Sequence, residues 1–337
     1  MLRPTYSLTL LTLLTATMLA ACTADKNETD SASATDATAA TDATATGTSN
    51  PTDGTGSTSD TATGSTSDAT DTTPTTTMVA DTAADGEACS ANDDCMSLGC
   101  LKFRDVGDGE CVPAPANSAT RIAGTLLDFA TGAPIPSSEL RVIGALSALG
   151  DPANATPVAM GTSDAMGMVD FVSPEALKEG IGIVGIITGG DYYTSATGLA
   201  SPTAGKYGPM NGIRDIWGVP SAKLTEWSGI LAADVDVMPF LPLGDNGGVI
   251  GLVRNAADSA PKPGAKVLPV NDTSNALIRY LSDDNMSFNS NATGTSGIFV
   301  LVNPGLAEEF TVEGSADVTA KAGSAKGAAF VMILNVP

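Results

Sequence analysis

The chain has 337 residues, enough for two domains beyond its non-folding parts, a formal net charge of −22, five cysteines and no histidine. The missing histidine excludes Ser-His-Asp and Cys-His catalysis and removes the commonest transition-metal ligand. No basic patch occurs, which argues against nucleic acid as a partner. The charge is unevenly spread: residues 23–88 hold 12 acids and one base, Lys26, whereas residues 119–337 hold 21 acids and 12 bases.

Residues 1–21 carry one basic residue, Arg3, an apolar stretch from Leu8 to Leu19, and small residues before Cys22. That stretch is too short and too rich in threonine to span a membrane, and has the form of a removable export signal. Its ending, Leu19-Ala20-Ala21-Cys22, resembles the lipobox of bacterial lipoproteins. The resemblance implies cleavage before Cys22, diacylation of its thiol by fatty acids such as palmitate, and acylation of the new amine. Each buried CH₂ contributes ~0.8 kcal/mol, so two or more chains hold a protein firmly to a membrane. Thr23, in place of an aspartate, points by the family's sorting tendency to the outer membrane or cell surface.

Residues 22–85 are Thr, Ala, Asp, Ser and Gly in near-repeats such as Thr35-Asp36-Ala37-Thr38 and Gly54-Thr55-Gly56-Ser57-Thr58. Without apolar periodicity nothing offsets chain entropy, so a disordered acidic linker is expected. A flexible chain of roughly 65 residues has a mean span of about 45 Å. Residues 86–115 hold Cys89, Cys95, Cys100 and Cys111. An even number of cysteines in an oxidising compartment predicts two disulfides, with three connectivities open. No C-x-x-C knuckle is present, which argues against zinc. The segment resembles the short four-cysteine modules that follow linkers in surface lipoproteins, which implies a structural collar or small contact surface.

From Thr120 onward, short Val, Ile, Leu and Phe runs punctuated by Gly, Pro, Asn and Asp predict an all-β architecture. An internal repeat supports it. Ile122-Ala123-Gly124-Thr125-Leu126 is matched by Val249-Ile250-Gly251-Leu252-Val253. A Pro-x-Pro follows each, at Pro134 and Pro136 and at Pro261 and Pro263. Strand-like Leu140-Arg141-Val142 and Ala265-Lys266-Val267 come next, then Gly161-Thr162-Ser163 through Phe171 against Gly294-Thr295-Ser296 through Val300. This pattern resembles the carboxypeptidase regulatory-like domain, a seven-stranded β-sandwich of the transthyretin type; Gly264-Ala265-Lys266-Val267 fits its motif well and Ser137-Ser138-Glu139-Leu140 loosely. The resemblance implies two tandem seven-stranded sandwiches, 120–245 and 246–337, and a scaffold without an activity of its own. One short helical insertion is expected near 221–233, with Ser221 as N-cap and Leu224, Trp227, Ile230 and Leu231 on one face.

Candidate chemistry is sparse. Neither S-x-x-K nor G-x-S-x-G occurs in a strand-to-helix context, so no nucleophile is set up. Asp234 and Asp236 would share a strand face and Asp283 and Asp284 are adjacent; these acids are the candidates for carboxylate chemistry or for calcium, although neither set has a D-x-D-x-D-G loop. Turn solvation is the plainer reading of both. For a ligand, the candidate aromatics are Trp217, Tyr192 and Tyr193, with one of the two tyrosines facing inward and one outward; Trp227 is assigned to core. The reading reached is a non-enzymatic, lipid-anchored binding or adhesion protein for an envelope polysaccharide or protein, with a structural spacer as the alternative.

Overall fold

The computed structural model describes residues 82–271 and 273–337. The signal, Cys22 and nearly all of the linker lie outside the described residues. No helix among the described residues is long and apolar enough to cross a membrane.

The cysteine module has three short strands, β1 (Ala88–Cys89), β2 (Cys100–Leu101) and β3 (Gly109–Cys111), in the order β1-β3-β2. Its disulfides pair Cys89 with Cys100 and Cys95 with Cys111. The four cysteines are its core, with Ala83 packed against them. So little apolar surface cannot hold a fold, and the two cross-links contribute on the order of 3 kcal/mol each by restricting the unfolded chain.

The rest is all-β, as the alternating pattern predicts. Its first half has seven strands: β4 (Arg121–Asp128), β5 (Glu139–Gly144), β6 (Ala159–Thr162), β7 (Met168–Val172), β8 (Ile183–Gly189), β9 (Tyr192–Ala200) and β10 (Asp215–Gly218). A short helix not expected from the sequence, α1 (Ala145–Gly150), follows β5 and buries Ala148. The expected helix is α2 (Ser221–Leu231), which buries Leu224, Trp227 and Leu231. Its N-cap position falls on Pro220 and not Ser221, and no side chain caps it. The second half comprises β11 (Val249–Asn255), β12 (Val267–Pro269), β13 (Leu277–Leu281), β14 (Phe288–Asn289), β15 (Ile298–Val302), β16 (Glu308–Val312), β17 (Ser315–Ala322) and β18 (Ala329–Val336).

The repeat is a repeat of hydrogen bonds. Strand β4 lies antiparallel to β7 and parallel to β10; β11 lies antiparallel to β15 and parallel to β18. Leu126 and Val253 donate N–H to Gly167 and Gly297 at 2.8 and 2.9 Å, and accept from Ile135 and Lys262 at 2.8 and 2.9 Å. The Ser163 hydroxyl donates to Ile135 and accepts the Ser138 N–H; Thr293 does the same with Lys262 and Ala265. Thr293, and not Ser296, is therefore the counterpart of Ser163.

Each half is a sandwich of two sheets, and the halves share one of them. Sheet β9-β8-β5-β6 of the first half joins sheet β14-β13-β15-β11-β18 of the second through parallel pairing of Ser195, Ala196 and Thr197 with Ala329, Phe330 and Val331. The result is a nine-stranded sheet with alternating side chains buried on both faces. Over the first half, β10-β4-β7 closes a core with Ile122, Leu140, Val142 and Leu199. Over the second half α2 covers the same face, with Trp217, Trp227, Ile250 and Val300. The opposite face, with Phe299, Leu301 and Phe330, is closed by β12-β16-β17 and by Ala148 of α1.

Trp217 is therefore core and not an exposed ligand platform. It is 5% exposed, stacked edge-on to Phe129 at 5.6 Å, because its strand is buried along its whole length. Tyr192 and Tyr193 are both half-buried instead of alternating. The β8–β9 register shifts beside them, and each ring packs against a different core.

Candidate functional site

The sequence-predicted acids are engaged locally. Asp234 and Asp236 lie in a turn after α2 and not on a strand. The Arg279 guanidinium donates to Asp234 at 2.6 Å and holds its carboxyl below the usual range; Asp236 stands 4.0 Å from the same guanidinium. Asp283 accepts the Thr295 N–H at 2.7 Å, and Asp284 the Met286 N–H at 2.9 Å. The Asp284 bond caps its own turn, and the Asp283 bond ties that turn to the loop at Thr295. The cluster of three metal-type ligands found among the described residues, Cys89, Cys95 and Cys111, is made of disulfide cysteines. Tyr192 donates its hydroxyl to Asp128 at 3.1 Å and Tyr193 to Asp245 at 2.6 Å. Burial, and then Asp128, push the Tyr192 phenol up to about 12.

The concentrated polar chemistry lies where the module meets both halves, at residues the sequence reading did not single out. Arg254, the penultimate residue of β11 in the second half, is 1% exposed; Asp215 opens β10 in the first half and is fully buried. They pair at 2.6 Å. The module's segment Phe103-Arg104-Asp105 lies against this pair. Arg104 Nε donates to Asp215 at 2.7 Å, and Asp105 accepts from Arg254 at 2.8 Å. Asp105 also accepts the backbone N–H of Arg214 at 2.6 Å, while the Phe103 carbonyl accepts the Thr125 hydroxyl at 2.6 Å. Arg254 completes its set on Asn335 Oδ1 at 2.7 Å.

Local structure explains the position. The Arg214 carbonyl accepts from Thr125 directly over Gly124, where a Cβ would lie 2.3 Å from that oxygen. Trp217 and Val219 donate N–H to the Thr197 and Ser195 hydroxyls of β9, which ties β10 to the shared sheet. A buried charge is tolerable only when paired and hydrogen-bonded, and here the pairing extends across three parts of the chain. Burial pushes the Asp215 carboxyl up, but the bonds and charges of Arg104 and Arg254 outweigh it and hold it below the ordinary range. Burial and the neighbouring Asp215 push Asp105 up. Burial draws Arg214 down to about 10 against the pull of Asp105; its Nη2 donates to Asn92 and the Cys100 carbonyl, while Nε and Nη1 have no partner.

A cleft of about 330 Å³, lined by Asn92, Lys102, Asp105 and Arg214 among others, opens at this seam. The seam holds no nucleophile poised beside a base. Arg104, Asp105, Asp215 and Arg254 are matched to one another, and what that arrangement does chemically is fasten. The available signal was a charge at the end of each of two apolar strands, Asp215 before Ile216-Trp217 and Arg254 after Leu252-Val253.

No family model matches this sequence, and no curated protein matches it. Among solved structures, the shaft pilin SpaA of Lactobacillus rhamnosus GG aligns over 64% of this chain and 96% of its own at 8% identity, with a TM-score of 0.21. The Bacillus anthracis TIE protein aligns over 64% of this chain and 34% of its own at 12% identity, TM-score 0.19. The minor pilin GBS52 of Streptococcus agalactiae aligns over 65% of this chain and 97% of its own at 12% identity, TM-score 0.19. These scores are too low to carry an argument about fold or function.

Proposed function

We propose that this is a non-enzymatic lipoprotein, held through Cys22 at the outer membrane or cell surface, whose head binds an extracytoplasmic polymer or protein. The carrying observation is the buried seam. Among the described residues it commits the two most deeply buried charges, Asp215 and Arg254, to joining the cysteine module to both halves, where an enzyme would direct them at a reacting group. The acids that suited carboxylate catalysis or calcium have Arg279 and turn amides as partners. A head built as one piece, carried on an acidic linker, suits presentation away from a membrane. The sheet that runs unbroken from one half into the other also favours the spacer reading, in which the head docks onto an envelope protein and transmits load.

Two measurements test this. Labelled fatty acid should enter the wild-type protein and not Cys22→Ala; label persisting in the variant contradicts the anchor. The secreted Cys22→Ala protein, mixed with envelope polysaccharide or envelope proteins of the producing cells, should be retained saturably by one of the two without turning it over. Glycan hydrolysis that disappears on Asp234→Asn or Asp236→Asn contradicts the non-enzymatic reading.

A further inference from the structure

Eight non-glycine residues among those described have positive φ, and seven of them are Asn, Ser or Ala. The eighth is Leu98, at φ 54. A branched apolar side chain is strained in that region, and such strain persists only where the surroundings impose it. Leu98 sits in the turn between Cys95 and Cys100, and each of these is tied by its own disulfide to a different part of the module. Leu98 donates its N–H to the Cys95 carbonyl at 2.9 Å, Met96 to Ala83 at 3.0 Å, and Val112 donates to Gly99 at 2.8 Å. Gly99 lies under Val112, where a Cβ would meet the Val112 carbonyl at 2.9 Å. The turn is fixed from both ends and from below.

What this framework holds is apolar and faces water. Leu98 is 50% exposed and Met96 69%. Neither belongs to the module's core, which is the four cysteines and Ala83. The module around them is acidic: Asp85, Glu87, Asp93, Asp94, Asp108 and Glu110 are all exposed. Of its two bases, Arg104 is taken by Asp215, and the Lys102 ammonium donates to the Ser90 carbonyl.

We propose that the Met96–Leu98 turn is a preformed docking knob for a partner protein that offers an apolar pocket rimmed by lysine or arginine. A turn whose backbone is already fixed has little backbone freedom left to lose on binding, and a few anchors buried in a partner's pocket carry most of an interface's energy. The exposed acids select the rim by charge and speed the encounter. The inference concerns the module alone and stands whether or not the sandwiches bind a polymer.

The test is a photo-reactive diazirine residue at position 98 of the full protein in the cells that make it, with the 76% exposed Met286 on the second half as the control position. Support is an adduct with one protein at position 98 and not at 286, mapped to apolar residues flanked by Lys or Arg. The same purified pair should then bind about tenfold more weakly with Leu98→Gly, whose melting temperature does not fall because glycine relaxes the turn. No adduct above the control, adducts only with lipid or glycan, or unchanged affinity in Leu98→Gly overturns the proposal.

Discussion

Arg254 and Asp215 face each other across 2.6 Å with almost no exposure, and each has a second partner from the cysteine module. Removing Asp215 leaves the buried Arg254 with Asp105 as its remaining carboxylate, and removing Arg254 leaves the buried Asp215 with the part-exposed Arg104. Asp215→Ala should cost about 3–5 kcal/mol, read by chemical denaturation, and Arg254→Ala a similar amount. An effect within experimental error for both would mean the seam is solvated. The pH dependence has a sign. Asp215 is held below its ordinary value of 3.8, so its stabilisation is present above that pH and is lost as pH falls through the lowered value. Asp105 is raised and works the other way: acidification first relieves its buried charge. Stability should hold down to about pH 4 and fall below it, and Asp215→Asn should flatten that fall. These residues were not legible in advance because pairing between residues 105, 215 and 254 is a property of tertiary proximity. Composition showed that charges were few in the strands, and not where they would meet.

At the scale of elements, the repeat was legible because it rests on residues with local requirements. Gly167 and Gly297 have φ of 77 and 68, and each accepts a ladder bond from the strand that opens its half. A Cβ at Gly297 would lie 2.4 Å from the Val253 carbonyl, and one at Gly167 3.0 Å from that of Leu126. Gly297→Ala should cost about 1–3 kcal/mol, with Gly167→Ala somewhat less; negligible costs at both would contradict the need for glycine in these turns, and a cost at only one would break their equivalence. Helix α2 was legible from the spacing of Leu224, Trp227 and Leu231. Helix α1 was not, since six residues following an apolar strand read as its continuation. Trp217 misled because a tryptophan between Ile216 and Gly218 shows no polar alternation from which its burial could be read. Its burial comes from Phe129 and α2, which sequence spacing does not bring to it. Strand β13 lies between β14 and β15, and Arg279 within it donates both to its neighbour Ile278's carbonyl and to Asp234, 45 residues away.

For the whole molecule, the all-β class and the two repeated halves followed from alternation and turn residues, whereas their union did not. Joining β9 to β18 makes one sheet of two halves, and the ionic seam fastens the module to both. The functional proposal rests on that union, since a head presented for binding gains from having its parts fixed relative to one another. The most direct measurement is calorimetric unfolding of the full protein near neutral pH, with disulfides intact. One transition whose calorimetric and van't Hoff enthalpies agree is the predicted result, and Arg254→Ala should lower it as a unit. Separate transitions for the two halves, or a module that melts by itself without affecting the rest, would contradict it.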